Sequence, residues 1–348
     1  MPWTPWSVGL GLVLVALASW AGTAAVLRLL IAWQIFDEPN DRSSHTQAKP
    51  RGGGLAVVAV MLTAWIAVAL VERSYEVGFW FVLSGALLLA AISWADDVRP
   101  RPASLRFGVQ VAAVALGLSM LQSTEMVFQG LLPLSLDRAL TALLWLWFIN
   151  LFNFMDGIDG LAAVETIAVS GGLAAIFALV VQSPFGAFLA AVPAAAALGF
   201  LPWNWAPSRI FLGDVGSVPL GYLLGGALIG AAASGFWAAA LILPLYYLSD
   251  ASLTLARRAL RGEKVWRAHR EHFYQRAVQR GFSHAEVVGR IAGCNALLVA
   301  LALFAAFAPL GRTWIFLGLA LLAVAGLLVM LAREAPPAAR GDRRIRPD

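Results

Sequence analysis

The chain has 348 residues, 60% of them hydrophobic and only 13% charged, with a mean hydropathy of +0.76. A water-soluble protein of this length needs far more charge to cover its surface, so the composition excludes that class and points to repeated membrane spans. The one cysteine, Cys294, excludes an intrachain disulfide and a cysteine-based zinc site and reads as a small apolar packing residue.

In chain order, eleven candidate spans lie near 7–32, 54–71, 77–95, 103–121, 138–155, 160–182, 184–202, 215–235, 236–256, 288–310 and 313–332. The first, in "MPWTPWSVGLGLVLVALASWAGTAAVLRLL", has no basic segment before it and is longer than the apolar core of a signal peptide, so it is expected to be retained. The expected fold class is all-α, a polytopic membrane protein of about eleven (ten to eleven) transmembrane helices. It forms a single domain over 1–332, followed by a basic tail, 333–348, expected to be disordered.

The formal net charge is +5 and the isoelectric point about 9.9. With the N-terminus outside the cytoplasm, 21 of the 25 lysines and arginines fall on one side of the membrane, which the positive-inside rule makes cytoplasmic. Topology and anionic lipid therefore account for the basic excess, and no nucleic-acid partner is expected. All four histidines, and Asp37, Asp96, Asp97, Asp156, Asp159 and Asp214, lie on that same side. A secondary transporter of a phosphorylated metabolite would carry ionisable groups deep in its spans. Only Glu165 and Asp250 lie well within spans here, both toward the cytoplasmic ends.

Five blocks carry chemistry. "DEPNDRSSHTQAKPRGGGLAV" places Arg42, His45, Lys49 and Arg51 before a triple glycine. "DDVRPRPASLRFGVQ" pairs Asp96 with Asp97, and adjacent carboxylates need a cation or arginines such as Arg106 to offset their repulsion. "NLFNFMDGIDGLA" sets Asn150, Asn153 and Asp156 on one face if the helix continues, with Asp159 on a turn. "GFLPWNWAPSRIFLGDVGS" holds Asn204, Arg209 and Asp214, the last at a glycine-flanked helix start whose N–H groups suit an anion. "HREHFYQRAVQRGFS" puts His269, His272 and Arg276 on one face if helical. Oxygen donors without a Cys/His set suit Mg²⁺, with Mn²⁺ second. No Walker A or GxGxxG pattern occurs.

These blocks, in this order over about 35–290, resemble the polyprenyl-phosphate N-acetylhexosamine-1-phosphate transferases (glycosyltransferase family 4). That family is related to the phospho-MurNAc-pentapeptide translocase of peptidoglycan synthesis, which stands as the alternative. The resemblance implies Mg²⁺-dependent transfer of a sugar-1-phosphate from a UDP-N-acetyl-sugar to undecaprenyl phosphate with release of UMP. The setting it implies is the cytoplasmic side of the bacterial inner membrane, and a homodimer is compatible with it.

By motif position, Asp214 resembles the metal aspartate, with Asp97 or Asp156 as further metal ligands. Asp96 and Asp97 match the aspartate pair of the lipid-phosphate site, and Asn153, Asp156 and Asp159 match the uridine and metal side of the cleft. Catalytic roles therefore fall to Asp96, Asp97, Asp156 and Asp159. Substrate-binding roles fall to Asn150, Asn153, Asn204, Arg42, His45, Arg51, Arg106, Arg209, His269, His272 and Arg276. Direct attack after proton removal by Asp96 or Asp97, and a two-step route through an aspartyl phosphate, both remain open.

Phe273, Tyr274 and Gln275 stand where many relatives carry histidines. Since that block is linked to sugar-phosphate recognition, the departure bears on the choice of sugar. The spellings "RSSH", "RGGG" and "HREHFYQR" look closest to members that initiate O-antigen in lipopolysaccharide synthesis.

Overall fold

A computed structural model describes residues 3–38, 48–72, 77–264 and 269–333. Arg42, His45 and the tail from residue 334 lie outside them. In a bilayer every backbone polar group must find a partner within the protein, so uninterrupted apolar runs become helices. These are α1 (Pro5–Ala32), α2 (Gly54–Glu72), α3 (Val77–Val98), α4 (Ala103–Gly117), α5 (Leu134–Met155), α6 (Leu161–Leu179), α7 (Pro184–Asn204) and α8 (Asp214–Ala231). After them come α9 (Trp237–Ile242), α10 (Leu245–Leu260), α11 (Phe273–Gln279), α12 (His284–Phe307) and α13 (Thr313–Ala332).

Ten helical stretches among the described residues are long and apolar enough to cross a membrane. One of them, Asp214–Ile242, is no straight rod, because Gly235 leaves helical geometry at φ 94°. Trp237 then packs on Trp314 at the start of α13, 4.6 Å between ring centroids. Tyr247 of α10 packs 5.3 Å from Phe152, near the other end of α5. The α13 end opposite Trp314 lies with that second end of the bundle, where Arg280 donates to the Leu331 carbonyl (3.3 Å). The chain therefore makes its expected crossing over 236–256 in two pieces, α9 and α10, on either side of Pro244. That break is why ten helices, not eleven, are long enough singly.

The core is built where helices come closest. Trp145 of α5 stacks on Tyr222 of α8 (4.9 Å, 10°) and donates to its carbonyl (2.8 Å). A Cβ on Gly54 would lie 2.2 Å from the Gly216 Cα, so the starts of α2 and α8 touch only because neither carries a side chain. Two short strands, β1 (Phe36–Asp37) and β2 (Lys49–Pro50), pair antiparallel, and Arg51 bridges to Phe211. The triple glycine continues this seam: Gly52 and Gly53 donate to Phe211 O and Gly54 to Leu212 O. The loop before α2 is thus fastened to the loop before α8.

Candidate active site

The end of α3 is an unfavourable place for two acids, since the helix dipole is negative there. The fold surrounds both with donors. Asp97, whose side chain has no exposed surface, accepts Arg51 Nε (2.8 Å) and the backbone N–H groups of Asp214 (3.1 Å) and Val215 (2.9 Å). The first two amides of α8, expected to face a phosphate, are therefore occupied by Asp97. Asp96 accepts the Arg101 N–H (2.6 Å) and Arg106 Nη1 (2.7 Å).

Arg51 joins the two halves. Its Nη2 reaches Asp214 Oδ1 at 2.7 Å and its Nη1 lies 3.7 Å from Asp37. Burial works against the charge of Arg51, but Asp214, Asp97 and Asp37 outweigh it and hold its pKa above the usual arginine range. The other Asp214 oxygen stands 3.6 Å from Arg106 Nη1. Among the described residues the buried Arg106 Nε has no partner.

From α5, Asn153 Nδ2 donates to Asp214 Oδ1 (3.2 Å) and to Ser217 Oγ (2.8 Å). The helix stops at Met155, so Asp156 occupies the cap position (φ −82°, ψ 57°). Burial first, and the charge of Asp214 next, push the half-buried Asp156 carboxyl up to about 7. Asn150 does not share this opening: its amide donates to Gln110 Oε1 of α4 (2.8 Å) and to Leu146 O (2.8 Å). The shared face expected for Asn150, Asn153 and Asp156 thus breaks up.

Asp159 belongs to a neighbouring cluster. It accepts the Ser208 N–H (3.0 Å) and Ser208 Oγ (2.7 Å), with Lys49 Nζ at 3.6 Å and His284 Nδ1 at 3.5 Å. Burial alone would raise its pKa, yet the bonds from His284 and Ser208 prevail and hold it well below the usual carboxylate range. Asn204 is buried and occupied at both ends, accepting the Gly160 N–H (3.0 Å) and donating to Ile210 O (3.0 Å). Arg209 is exposed, its guanidinium 5.7 Å from the Trp203 ring centre.

The histidines and Arg276 do not form one helical face. Asp250 accepts the N–H groups of Phe273 (2.9 Å) and Tyr274 (3.2 Å), so α11 starts only after His272. His272 Nδ1 lies 3.2 Å from the same carboxylate, and the His269 ring packs 4.8 Å from the His272 ring. Burial first, then His272, push His269 down to about 4, which leaves it neutral at pH 7. Arg276 is exposed on α11.

One charged network therefore unites Asp96, Asp97, Asn153, Asp214, Arg51 and Arg106, with Asp156 within reach of its charges. Asp159, Asn204, Asn150, Arg209 and the α11 segment lie in adjacent networks. The sequence reading missed Gln110, Ser208 and Asp250 as partners. None could be found by spacing, since each meets its partner only across the folded bundle. Among the described residues, no three His, Cys, Asp or Glu side chains close on one point.

The model of glycosyl transferase family 4 matches residues 79–232, which carry Asp96, Asp97, Asn153, Asp156 and Asp214. Over that segment the chain is similar to this family. It is similar to the decaprenyl-phosphate N-acetylglucosaminephosphotransferase of Mycolicibacterium smegmatis, at 29% identity over 93% of this chain and 89% of that protein. Similarity extends to a probable undecaprenyl-phosphate N-acetylglucosaminyl 1-phosphate transferase of Bacillus subtilis, at 27% over 75% of each chain. A phospho-N-acetylmuramoyl-pentapeptide-transferase of Synechococcus sp. is 29% identical over 79% of this chain and 85% of its own.

Proposed function

We propose that this chain transfers an N-acetylhexosamine-1-phosphate from a UDP-sugar to a polyprenyl phosphate, undecaprenyl phosphate in a bacterium, releasing UMP. The observation that carries the reading is the charged chain Asp97–Arg51–Asp214–Arg106–Asp96, assembled from four separate elements at one end of a membrane bundle. An exchange of one diphosphate linkage for another needs little driving force. Its obstacle is the repulsion between two phosphates, and fixed cations offset that.

Arg106, with its unpartnered Nε, and Arg51 clamp the phosphates. Asp97, fully occupied by donors, holds the start of α8 and orients Asp214. Asp96 or Asp156 takes the proton from the lipid phosphate, and Asn153 fixes the Asp214 carboxylate. The carboxylates of Asp214 and Asp156 offer oxygen ligands, which suit a hard cation completed by substrate phosphates, and the ion would take the place of the Arg51 and Asn153 N–H groups now on Asp214. Asp214 with Asp156 would hold Mg²⁺ (or Mn²⁺), Asp97 being already taken by its three donors, and the ion would share the charge developing on the leaving UMP.

The prenyl chain lies in an apolar groove between spans, and a cavity of about 410 Å³ between α5, α8, α9 and α10 fits it, running from Phe128 at the far end of the bundle past Phe148 to Leu248. The site faces the cytoplasm of the inner membrane, following the 21 of 25 basic residues on that side. The sugar is N-acetylglucosamine or a close relative, and the product starts a surface glycan such as O-antigen.

The test is UMP release by the purified protein in detergent, given undecaprenyl phosphate and a panel of UDP-sugars. Lipid-dependent and Mg²⁺-dependent release with one sugar, abolished by EDTA, is expected. No release with any sugar, from protein that melts cooperatively, would overturn the reading.

A further inference from the structure

We infer that Tyr274 is a positioning residue for the Asp156 turn, a role that rests on the function proposed above. Tyr274 has no exposed surface, and its hydroxyl donates to the Phe154 carbonyl at 3.0 Å. Phe154 is in the last turn of α5, where carbonyls have lost their helical partners. The hydroxyl supplies one of those partners two residues before Asp156. On the other side of the turn the fit is equally close, since a Cβ on Gly157 would lie 2.1 Å from the Tyr274 hydroxyl and 3.1 Å from its Cζ.

The phenol is itself held in place. Asp250 accepts the Tyr274 N–H, and the His272 ring stacks on the Tyr274 ring (5.7 Å, 15°). A continuous path of contacts thus runs from α10, through the start of α11, to the end of α5. The tyrosine stands where the resemblance leads one to expect a histidine. In this chain, then, the segment after His272 grips the turn that carries Asp156.

Tyr274→Phe keeps the ring and removes only the bond to Phe154. The expected result is a kcat lowered about 10- to 100-fold, with KM for both substrates within about twofold and the melting midpoint lowered by no more than a few degrees. The control Tyr222→Phe, whose hydroxyl donates to Ala113 O in the bundle core, keeps wild-type kcat. Gly157→Ala forces the phenol away and loses activity. Adding Tyr274→Phe removes the severest clash and leaves the contacts with Cζ (3.1 Å) and Cε2 (3.2 Å), so the double variant is more active than Gly157→Ala alone.

Hydrogen exchange of a peptide spanning 153–160 gives a readout independent of catalysis, and Tyr274→Phe should speed it. Wild-type kcat in Tyr274→Phe, or a double variant no better than Gly157→Ala, overturns the inference. If the wild type itself releases no UMP, the functional reading fails, and unchanged exchange in Tyr274→Phe would still overturn the clamp.

Discussion

The two ends of the bundle solve the same problem differently. At the end away from the candidate site, Asp137 is fully buried and accepts the N–H groups of Phe128 (2.9 Å) and Val127 (3.4 Å). Arg138 lies 3.1 Å from it and donates to Gln122 O and Glu125 O. At the site end Asp97 is also buried, accepts two backbone N–H groups and pairs with an arginine. There Arg51 continues outward to Asp214, whose side chain is 18% exposed, and through it the charge meets the 40% exposed Arg106. One knot is closed and fastens a loop. The other is open on one side, and charge left accessible at a membrane surface is available to a charged ligand.

That contrast can be broken most directly at Asp214. Asp214→Asn keeps the shape and removes the charge that Arg51 and Arg106 share, so UMP release should fall about 10²- to 10³-fold. The melting midpoint in detergent should move little, because Asp97 still holds the start of α8. A variant that melts far lower, or retains near-normal release, would show that Asp214 belongs to a structural knot after all.

A smaller loss is expected at the bond between the closed and open parts. Arg51 touches Asp97 through Nε and Asp214 through Nη2, and a lysine cannot reproduce that fork. Arg51→Lys should lower both kcat, about tenfold or more, and the melting midpoint. Equal activity with lowered stability would assign Arg51 wholly to the scaffold.

Asp156 sharpens the comparison through pH. Its folded carboxyl titrates at about 7, above the unfolded value of about 4, so between these limits the folded chain holds a proton that the unfolded chain has released. Its contribution to stability is therefore full below about pH 4 and is lost as pH rises through 7. If Asp156 acts ionised, adding Mg²⁺ at pH 7 should release protons into an unbuffered solution. Identical release from Asp156→Asn would remove Asp156 from the ligand set.

Much of this was legible in the sequence, and the remainder divides along physical lines. Span positions followed from apolar runs, because the bilayer leaves backbone no alternative to a helix. The acids of the opening were found because Asp96, Asp97, Asp156 and Asp214 sit at helix ends where charge needs an explanation. The break at Pro244 was hidden, since composition over 236–256 reads the same for one helix or two. The start of α11 was hidden too: it depends on Asp250, more than twenty residues earlier, reaching the amides of Phe273 and Tyr274. Asn204 and Asp159 carried the right residue types, yet their partners Gly160, Ile210 and Ser208 meet them only through tertiary packing.

The smallest effect on activity is expected at Asp137, and it is the sharpest control. Asp137→Asn keeps one acceptor oxygen but loses the other and the charge facing Arg138, in a place with no exposed surface. A buried donor left without its acceptor costs about 1–3 kcal/mol, so the melting midpoint should fall by several degrees. UMP release per folded molecule should not change, because nothing at that end reaches the opening around Asp214. A drop in turnover of the folded protein would mean that the loop held by Asp137 communicates with the site. The intervening helix is α5, whose first turn carries Asp137 and whose end carries Asn153 and Asp156. Unchanged turnover would mean that α5 transmits nothing along its length and that the closed knot serves stability alone.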